Sequence, residues 1–339
     1  MEVVSGTNHR VFPIDDPSRV GEARRYAASL AQTAGWGAED SGRLALVVTE
    51  MGTNLVKHAR GGSLFIADRG NARGDIEMLS VDSGPGIHDL AQCMTDGFST
   101  GGSPGTGLGA IRRVADDFDA YSSVPAGTIS VARVRPHQRA SAEPATGYRM
   151  GALAVPMRHE TANGDSWAVA TDGTRGAAMV ADGLGHGPSA AEASLAAVAV
   201  FARMPFADLA AVLEASHAAL KSTRGAAVSL AAFDAEGSSV RSVGAGNVTV
   251  RIVSATSDRT VLSQHGTVGL QMRKPAVTTT DWPPHALIVL HTDGILARWK
   301  SDAVVPLLGR DPSLVAGLIM RDYCRHTDDA TVVVIRRKG

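Results

Sequence analysis

A polar, proline-punctuated stretch between Val134 and Gly147 divides this chain of 339 residues, and each half carries its own set of acidic and glycine-rich motifs. The stretch reads Arg-Pro-His-Gln-Arg-Ala-Ser-Ala-Glu-Pro-Ala-Thr, with neither the period of a strand nor that of a helix. Single domains typically have ~100–200 residues, so the length favours two domains. We therefore predict one domain over residues 1–137, a linker over 138–146 and a second domain over 147–339.

Composition argues against several classes of partner. The chain has 33 Lys and Arg against 34 Asp and Glu, without a dense basic cluster, so the electrostatic footprint of a nucleic-acid-binding protein is missing. The most apolar window, residues 193–213, contains charges and a proline and falls short of the ~20 apolar residues that span a bilayer. The first ten residues lack the apolar stretch of a signal peptide, and Cys93 and Cys324 have no paired spacing. We expect a cytoplasmic protein that binds neither nucleic acid nor membrane.

The first half mixes helical and strand-like patterns. A helical stripe runs from Ser18, a candidate N-cap, to Ala34. A second helix, which Asp40 or Ser41 can cap, runs to His58. Three short β-rich runs follow at residues 64–67, 76–81 and 128–134. The pattern predicts an α+β domain.

The second half is dominated by strand-like runs with two helical stretches among them. The helices are predicted at residues 189–203 and 206–221. The strands are predicted at residues 167–170, 177–181, 227–233, 240–243, 248–253, 287–291 and 331–335. Many strands with a helix pair indicate a β-sandwich covered by helices.

Four polar residues share one face of the second helix. Glu50 and Asn54 are four residues apart, with Lys57 and His58 one turn further on. The amide oxygen of Asn54 suits a Mg²⁺ ion that bridges phosphates, and the Glu50 carboxylate suits orientation or deprotonation of a nucleophile. A solvated helix face is the alternative interpretation.

Two glycine-containing motifs complete this set. Asp82 begins Asp-Ser-Gly-Pro-Gly at a strand end, where its carboxylate can accept a hydrogen bond from an adenine amino group; alone, such a motif is commonly a turn. A second motif, Gly-Thr-Gly-Leu-Gly, directly precedes a helical stretch, so its amides can hold phosphates at the helix N-terminus. The candidate contacts in the two motifs are Asp82, Gly84, Gly86, Gly105, Thr106, Gly107, Leu108 and Gly109.

The order of these three motifs resembles the ATPase fold shared by gyrase, histidine kinases and MutL (GHKL). The stretch from Asp96 to Asp119 is similar to the small serine/threonine switch kinases of the RsbT type. This resemblance implies a GHKL ATPase-type α/β sandwich that binds ATP with Mg²⁺, with Glu50 as the catalytic base. No phosphoacceptor-histidine helix pair precedes the motifs, which argues against a sensor histidine kinase.

Four acidic motifs in the second half lie beside strand-like runs. Asp165 precedes one strand and Asp182 ends another in Asp-Gly-Leu-Gly-His-Gly; Asp293 ends a third in Thr-Asp-Gly, and Asp328 precedes the last in Asp-Asp-Ala-Thr. Each motif alone is also a common turn. Strand ends of a sandwich converge on one edge, however, where only dications would offset the repulsion among four carboxylates. The pattern predicts a site for two Mn²⁺ or Mg²⁺ ions that activate a water toward a phosphate ester.

The order of the acidic motifs resembles the metal-dependent (PPM) serine/threonine phosphatases of the SpoIIE and RsbX type, over roughly residues 147–337. The resemblance implies a PPM-type β-sandwich flanked by helices, in which Asp182 bridges two ions and Gly183 offers its backbone carbonyl. The remaining ligands would be Asp165, direct or through a water, Asp293 and Asp328, with Asp329 as the alternative to Asp328.

Two histidines near these motifs raise a zinc alternative. The spacing of His186 and His291 fits no usual zinc pattern, and oxygen ligands dominate, so Mg²⁺ or Mn²⁺ is favoured. His186 could instead protonate the leaving serine oxygen, or lie in a turn near the metal site.

Relatives of the two halves act on one protein in a stress-signalling module. The resemblance therefore implies a bifunctional regulator that phosphorylates and dephosphorylates Ser/Thr on a STAS-domain antagonist (RsbS- or RsbR-like), with Glu50 and Asp182 as catalytic residues. A downstream effector or an anti-sigma factor is a further candidate partner. The alternatives are a phosphatase fused to a nucleotide-binding module that captures a sigma factor or effector without transferring phosphate, and a plain ATPase.

Overall fold

Residues 1–6, 8–94, 107–139 and 146–338 are described by the computed structural model. Contacts divide the chain into an N-terminal unit, residues 9–143, and a C-terminal unit, residues 1–8 with 144–339. The first eight residues thus group with the C-terminal unit, whereas the sequence analysis assigned them to the N-terminal domain. Within the described ranges, no helix is long and apolar enough to cross a membrane.

The described elements up to residue 139 begin with strand β1 and continue with the N-terminal unit. They are β1 (Glu2–Ser5), β2 (Arg10–Ile14), α1 (Pro17–Thr33), α2 (Ala38–His58), β3 (Gly62–Asp68), β4 (Ile76–Val81), α3 (Leu90–Cys93), α4 (Leu108–Val114), β5 (Asp117–Ser123) and β6 (Gly127–Val134). Strands β2 to β6 form an antiparallel sheet in the order β2-β3-β4-β6-β5. Helices α1 and α2 pack together and contact this sheet.

The core of the N-terminal unit follows from the apolar spacing of α2. Leu44, Val47 and Met51 recur at three- and four-residue steps, so they face one side of the helix. They pack in one buried cluster with sheet residues such as Leu64 and Ile66. The polar face of α2 is thereby left for other contacts.

Both long helices begin earlier than predicted. The cap of α1 is Asp16, whose carboxylate accepts the Ser18 amide at 2.7 Å, rather than Ser18 itself. Helix α2 begins at Ala38, so neither Asp40 nor Ser41 caps it. The Asp40 carboxylate instead accepts the backbone amide of His137 at 3.1 Å and ties the start of α2 to the chain after β6.

The C-terminal unit contains most of the strands. From residue 146 the described elements are β7 (Tyr148–Val155), β8 (Asp165–Asp172), β9 (Arg175–Gly183), α5 (Pro188–Arg203), α6 (Leu209–Ala219), β10 (Ala226–Asp234), β11 (Ser239–Ala245), β12 (Thr249–Val253), β13 (Asp258–Val261), β14 (Gly266–Thr267), β15 (Gln271–Met272), β16 (Thr278–Asp281), β17 (Leu287–His291), α7 (Pro312–Tyr323) and β18 (Ala330–Arg337). Short 3₁₀ turns at 220–222, 301–303 and 305–307 complete the set.

Two antiparallel sheets build this unit. One has the strand order β1-β8-β9-β10-β11-β16 and the other β13-β12-β17-β18-β7, with β14 and β15 as a separate short hairpin. Apolar residues from both sheets form one core cluster that includes Trp167, Val180, Ile288 and Val333. Helix α5 packs on β8 and β9, and α7 packs on β7 and β18. The predicted α+β class and helix-flanked β-sandwich are confirmed.

Helix α7 was not predicted, and α6 is shorter than predicted. Every residue of α7 from Pro312 to Met320 is buried, so its sequence lacks the polar face that makes a helical period visible. Helix α6 begins at Leu209 rather than at Phe206 because the Asp208 side chain caps it, accepting the Ala210 amide at 3.1 Å.

Candidate active sites

The predicted metal ligands lie where four strands of the C-terminal unit begin or end. Strands β8 and β9 pair so that Asp165 stands directly opposite Asp182. In the other sheet, β17 pairs with β18; Asp293 lies two residues after β17, and Asp328 two residues before β18. We call this group of four carboxylates the acidic edge.

Burial and mutual repulsion raise the pKa of carboxyl groups in the acidic edge. Burial, followed by the charges of Asp293 and Asp328, raises the pKa of Asp182 to about 8. Burial, followed by the charge of Asp182, raises the pKa of Asp165 well above its ordinary range. The pKa of Asp293 is raised by burial and then by Asp328, although Arg325 and Asn247 oppose the rise. These side chains therefore influence one another across both sheets, and a cation would relieve their repulsion.

The donor set fits a hard divalent cation. Asp165 is only 2 % exposed; its Oδ2 accepts the Thr292 hydroxyl at 2.7 Å, whereas its Oδ1 has no hydrogen-bond partner among the described residues. The Thr331 hydroxyl lies near this carboxylate and opposes the rise of its pKa, but it too completes no hydrogen bond within those residues. A buried carboxylate oxygen without a partner is costly unless a ligand meets it. Carboxylate and carbonyl oxygens are the ligands that Mg²⁺ and Mn²⁺ prefer.

The acidic edge is more open than a closed metal centre. In the described part of the chain, no three acidic, histidine or cysteine side chains are close enough together to hold one ion.

Asp328 and Asp329 have different surroundings. Asp329 is 3 % exposed, and its two oxygens accept the backbone amides of Met157 at 2.8 Å and Gly164 at 3.0 Å. Asp328 is partly exposed, and its Oδ1 accepts the amide of Asp329 at 2.9 Å. Asp329 thus holds the loop before Asp165, and Asp328 as the metal ligand stays a prediction.

Gly183 occupies a position that only glycine fits. A Cβ atom there would lie 2.0 Å from the carbonyl oxygen of Ala190 in α5. The Gly183 amide donates to the carbonyl of Gly164 at 3.1 Å, which joins the end of β9 to the loop before β8. The two loops that carry Asp165 and Asp182 are thereby fixed to each other.

Neither histidine supports the zinc alternative. His291 is 1 % exposed; its Nδ1 donates to the Thr292 carbonyl at 2.9 Å, and its Nε2 accepts the Trp299 indole N–H at 3.2 Å. Both ring nitrogens are occupied, and burial, followed by the charge of Arg251, lowers the pKa of His291 to about 4. His186 is exposed, and its Nδ1 lies 2.8 Å from Oε1 of Glu160.

Sequence reasoning missed the residues that orient Asp165. Thr292 was visible only as part of a Thr-Asp-Gly motif, yet its hydroxyl donates to Asp165 and accepts the backbone amide of Thr331 at 3.0 Å. The Asn163 side chain accepts the Asp165 amide at 2.9 Å and donates to the Asn8 side chain at 3.0 Å. The Asn-Gly-Asp sequence signals the first of these bonds as an Asx turn, but nothing in it signals Asn8.

In the N-terminal unit, the four polar residues of α2 differ in burial. Glu50 and Asn54 are partly buried, whereas Lys57 and His58 are exposed. Burial raises the pKa of Glu50, although the Lys57 ammonium opposes the rise. A half-buried carboxylate with a raised pKa is suited to accept a proton.

The Asp82 turn packs against the C-terminal end of α2. The Asp82 carboxylate accepts the Gly84 amide at 2.7 Å, and a Cβ atom on Gly84 would lie 3.0 Å from the carbonyl oxygen of His58. Gly86 has a φ of +75°, and a Cβ atom there would lie 2.6 Å from the Ser123 carbonyl oxygen. The turn thus requires both glycines and lies beside the helix end that bears Lys57 and His58.

The third motif is only partly described. Gly105 and Thr106 lie outside the described residues. Gly107 directly precedes α4, and Leu108 and Gly109 form its first turn, with Gly109 buried. The predicted position of this motif before a helix is therefore observed, and its phosphate contacts stay a prediction.

Known proteins match the two units separately. Residues 14–133 match the family described as Histidine kinase-like ATPase domain, and residues 172–338 match the family Stage II sporulation protein E (SpoIIE). The first match contains Glu50, Asn54 and Asp82. The second contains Asp182, Asp293 and Asp328 and begins after Asp165.

One relative and two solved structures define these similarities further. The serine/threonine-protein kinase RsbT of Bacillus subtilis (strain 168) is 35% identical over 109 residues, which cover 31% of this chain and 80% of RsbT. A structure described as "The bacterial stressosome: a modular system that has been adapted to control secondary messenger signaling" is 27% identical with a TM-score of 0.53, covering 56% of this chain and 99% of that one. RsbX in complex with magnesium is 22% identical with a TM-score of 0.51, covering 56% of this chain and 96% of that one.

Proposed function

We propose that this chain is a partner-switching regulator with two opposed activities. The chain belongs to the RsbT family of serine/threonine kinases through its N-terminal unit, and it carries a SpoIIE-type PPM phosphatase domain in its C-terminal unit. The N-terminal unit would phosphorylate a Ser or Thr of a STAS-domain protein, and the C-terminal unit would remove the phosphate. The observation that carries this proposal is the presence of both sites on one chain. Their tethering would raise the effective concentration of one partner at each site.

The phosphatase site would be the acidic edge. Asp165, Asp182, Asp293, Asp328 and the Gly183 carbonyl would hold two Mn²⁺ or Mg²⁺ ions. When bound, such a pair supplies a water nucleophile and charge stabilisation for in-line attack on a phosphate ester. Asp182 is central because its pKa responds to both Asp293 and Asp328, which come from the other sheet.

Several hydrogen bonds within the protein would hold the geometry of this site. Thr292 fixes one oxygen of Asp165 and leaves Oδ1 open toward a ligand. Asp329 holds the backbone of Met157 and Gly164, so the loop that enters β8 is anchored at both ends. Since these bonds do not involve a bound ion, the protein would supply much of the geometry itself.

The kinase site would use the polar face of α2. Asn54 would ligate the Mg²⁺ that accompanies ATP, and the Asp82 carboxylate would accept the adenine amino group. Glu50, with its raised pKa, would take the proton from the attacking Ser or Thr hydroxyl. Lys57 and His58, on the same face, would contact the nucleotide together with residues 105–109.

The testing experiment uses the full chain, radiolabelled ATP and a STAS-domain protein encoded beside it. With the Asp182→Asn variant, label should accumulate on the STAS protein; with the unaltered chain, Mn²⁺ should then remove it. The unaltered chain and the Glu50→Gln variant serve as paired controls for transfer. Nucleotide binding without label on the partner would instead favour the binding module that captures a sigma factor or effector, and phosphate release without an acceptor would favour a plain ATPase.

A further inference from the structure

Residues 1–6 and 8, here called the leading segment, include a strand that pairs with a strand of the C-terminal unit. Strand β1 pairs antiparallel with β8, from Glu2 opposite Thr171 to Ser5 opposite Ala168. The Gly6 amide then donates to the Trp167 carbonyl at 3.0 Å. The segment therefore approaches Asp165, the first residue of β8.

The fit of the leading segment to β8 is close. A Cβ atom on Gly6 would lie 1.9 Å from the indole ring of Trp167, so any larger residue would displace the segment or the ring. At the other end, the N-terminal ammonium lies 3.5 Å from the Asp172 carboxylate. The contact of Gly6 with Trp167 thus fixes where β1 lies along β8.

A chain of two side chains connects this segment to Asp165. Asn163 is 3 % exposed, and its Oδ1 accepts the backbone amide of Asp165 at 2.9 Å. Because an amide N–H can only donate, this bond fixes which end of the Asn163 side chain is oxygen. Its Nδ2 must then point the other way, where it donates to Oδ1 of Asn8 at 3.0 Å.

Asn8 therefore adds a second hydrogen bond to the Asn163 amide, and Asn163 holds the backbone from which the Asp165 carboxylate projects. Without Asn8, the buried Nδ2 of Asn163 would lose the partner that the structure gives it. The amide could then rotate and release the Asp165 N–H.

We propose that Asn8 is a positioning residue for Asp165 and that the leading segment is a working part of the phosphatase site. The role of Asp165 itself rests on the proposed function. A segment that precedes the kinase unit in sequence thus completes the metal site of the phosphatase domain. A fragment that begins after residue 143 lacks this contact.

The test compares three variants of the full chain with the parent. Asn8→Ala removes the acceptor, and Asn8→Asp keeps an acceptor oxygen at the same place. Ser5→Ala is the matched control, since it alters another exposed side chain of the same segment. Each metal-free protein is titrated with Mn²⁺ by calorimetry, and hydrogen exchange is followed in the peptide that covers residues 157–165. Thermal unfolding of the metal-free proteins shows whether the fold is retained.

In Asn8→Ala we expect faster exchange over residues 157–165 and Mn²⁺ binding weaker by about three- to tenfold, the range expected for loss of one hydrogen bond. Asn8→Asp and Ser5→Ala should bind Mn²⁺ at least as tightly as the parent. Unchanged Mn²⁺ affinity in Asn8→Ala would overturn the proposal, and so would faster exchange without a change in affinity, because the contact would then be structural only.

The outcome is separable from that of the proposed function. If the parent dephosphorylates no phosphoprotein but its Mn²⁺ affinity depends on Asn8, the proposed function is wrong and the positioning role is supported. If the parent dephosphorylates its partner and the Asn8→Ala variant binds Mn²⁺ normally, only the positioning role is wrong.

Discussion

The two sites of this chain are built in different ways. The acidic edge gathers carboxylates from four strands in two sheets, and buried hydrogen bonds from Thr292, Asn163 and Asp329 hold the loops between them. The proposed nucleotide site would use neighbouring positions on one helix, α2, and a turn that packs on the end of that helix. One site depends on long-range register, and the other on local periodicity.

This difference predicts how each site responds to change. At the acidic edge, a substitution alters charge repulsion, metal binding and the fold together, because the same residues serve all three. On α2, the polar face is separate from the apolar face that packs in the core, so a substitution there should alter chemistry and leave the fold intact.

The largest effect is expected at Asp182. Asp182→Asn removes the carboxylate that both sheets place at the centre of the acidic edge, so the several kcal/mol that bound metals contribute, about a thousandfold or more in rate, should be lost. Metal-free stability should be unchanged or higher, since burial and the neighbouring carboxylates disfavour the charged form of Asp182 and asparagine carries no charge. Phosphatase turnover and thermal unfolding of the full chain measure both.

The control for this charge removal is Asp302→Asn, at an exposed position of the same unit. Phosphatase activity that survives Asp182→Asn at the level of Asp302→Asn would place the metal site elsewhere.

The second largest effect is expected at Glu50. Glu50→Gln should slow phosphoryl transfer by about 10²- to 10⁴-fold, the usual contribution of a general base, and leave ATP affinity nearly unchanged. Transfer to the partner and nucleotide calorimetry check the two parts, with Glu39→Gln in the exposed first turn of α2 as the matched control. Retained transfer in Glu50→Gln would assign the base to another group.

The pH dependence of metal binding is a third test of the acidic edge. Burial and the neighbouring carboxylates raise the pKa of Asp182 from 3.8 to about 8, so the folded, metal-free unit holds a proton that the unfolded chain has released. Stability of the metal-free unit should therefore fall as pH rises from about 4 to 8. Mn²⁺ must displace this proton, so its affinity should rise by up to about tenfold per pH unit until pH reaches about 8.

Calorimetric Mn²⁺ titrations between pH 6 and 8 measure this slope, and Asp302→Asn should reproduce it. A Mn²⁺ affinity independent of pH would show that Asp182 is already ionised in the free protein. The proposed nucleotide site offers no comparable test. Its carboxylate with a raised pKa, Glu50, has a cationic neighbour rather than acidic ones.

The sequence was most informative about the features of the molecule that depend on a local pattern of residues. Asp-Gly motifs after apolar strands pointed to Asp182 and Asp293, and four-residue spacing on one helix face pointed to Glu50 and Asn54; their roles in the two sites stay predictions. The different surroundings of Asp328 and Asp329 could not be foreseen, since they depend on amides of Met157 and Gly164 that lie far away in sequence.

Other features were hidden for physical reasons. Helix α7 is buried on nearly every side and shows no amphipathic period. Strand β1 is short, and its place in the fold comes only from its pairing with β8. The whole N-terminal unit lies between these two strands in the sequence. No local pattern in residues 1–8 reports a partner that begins at residue 165.

The smallest effect is expected at Thr292, where the comparison between the sites is sharpest. Thr292→Val removes the hydroxyl that donates to Asp165 and accepts the Thr331 amide, and it leaves a buried amide without a partner. The free energy of unfolding of the C-terminal unit should fall by about 1–3 kcal/mol, and Mn²⁺ affinity should fall by several-fold. Thr292→Ser keeps the hydroxyl and should restore both the stability and the Mn²⁺ affinity.

Denaturation followed by tryptophan fluorescence reports mainly on the C-terminal unit, which contains Trp167, Trp282 and Trp299. A Thr292→Val variant as stable as Thr292→Ser would show that the acidic edge, like the face of α2, can change its chemistry without changing its fold.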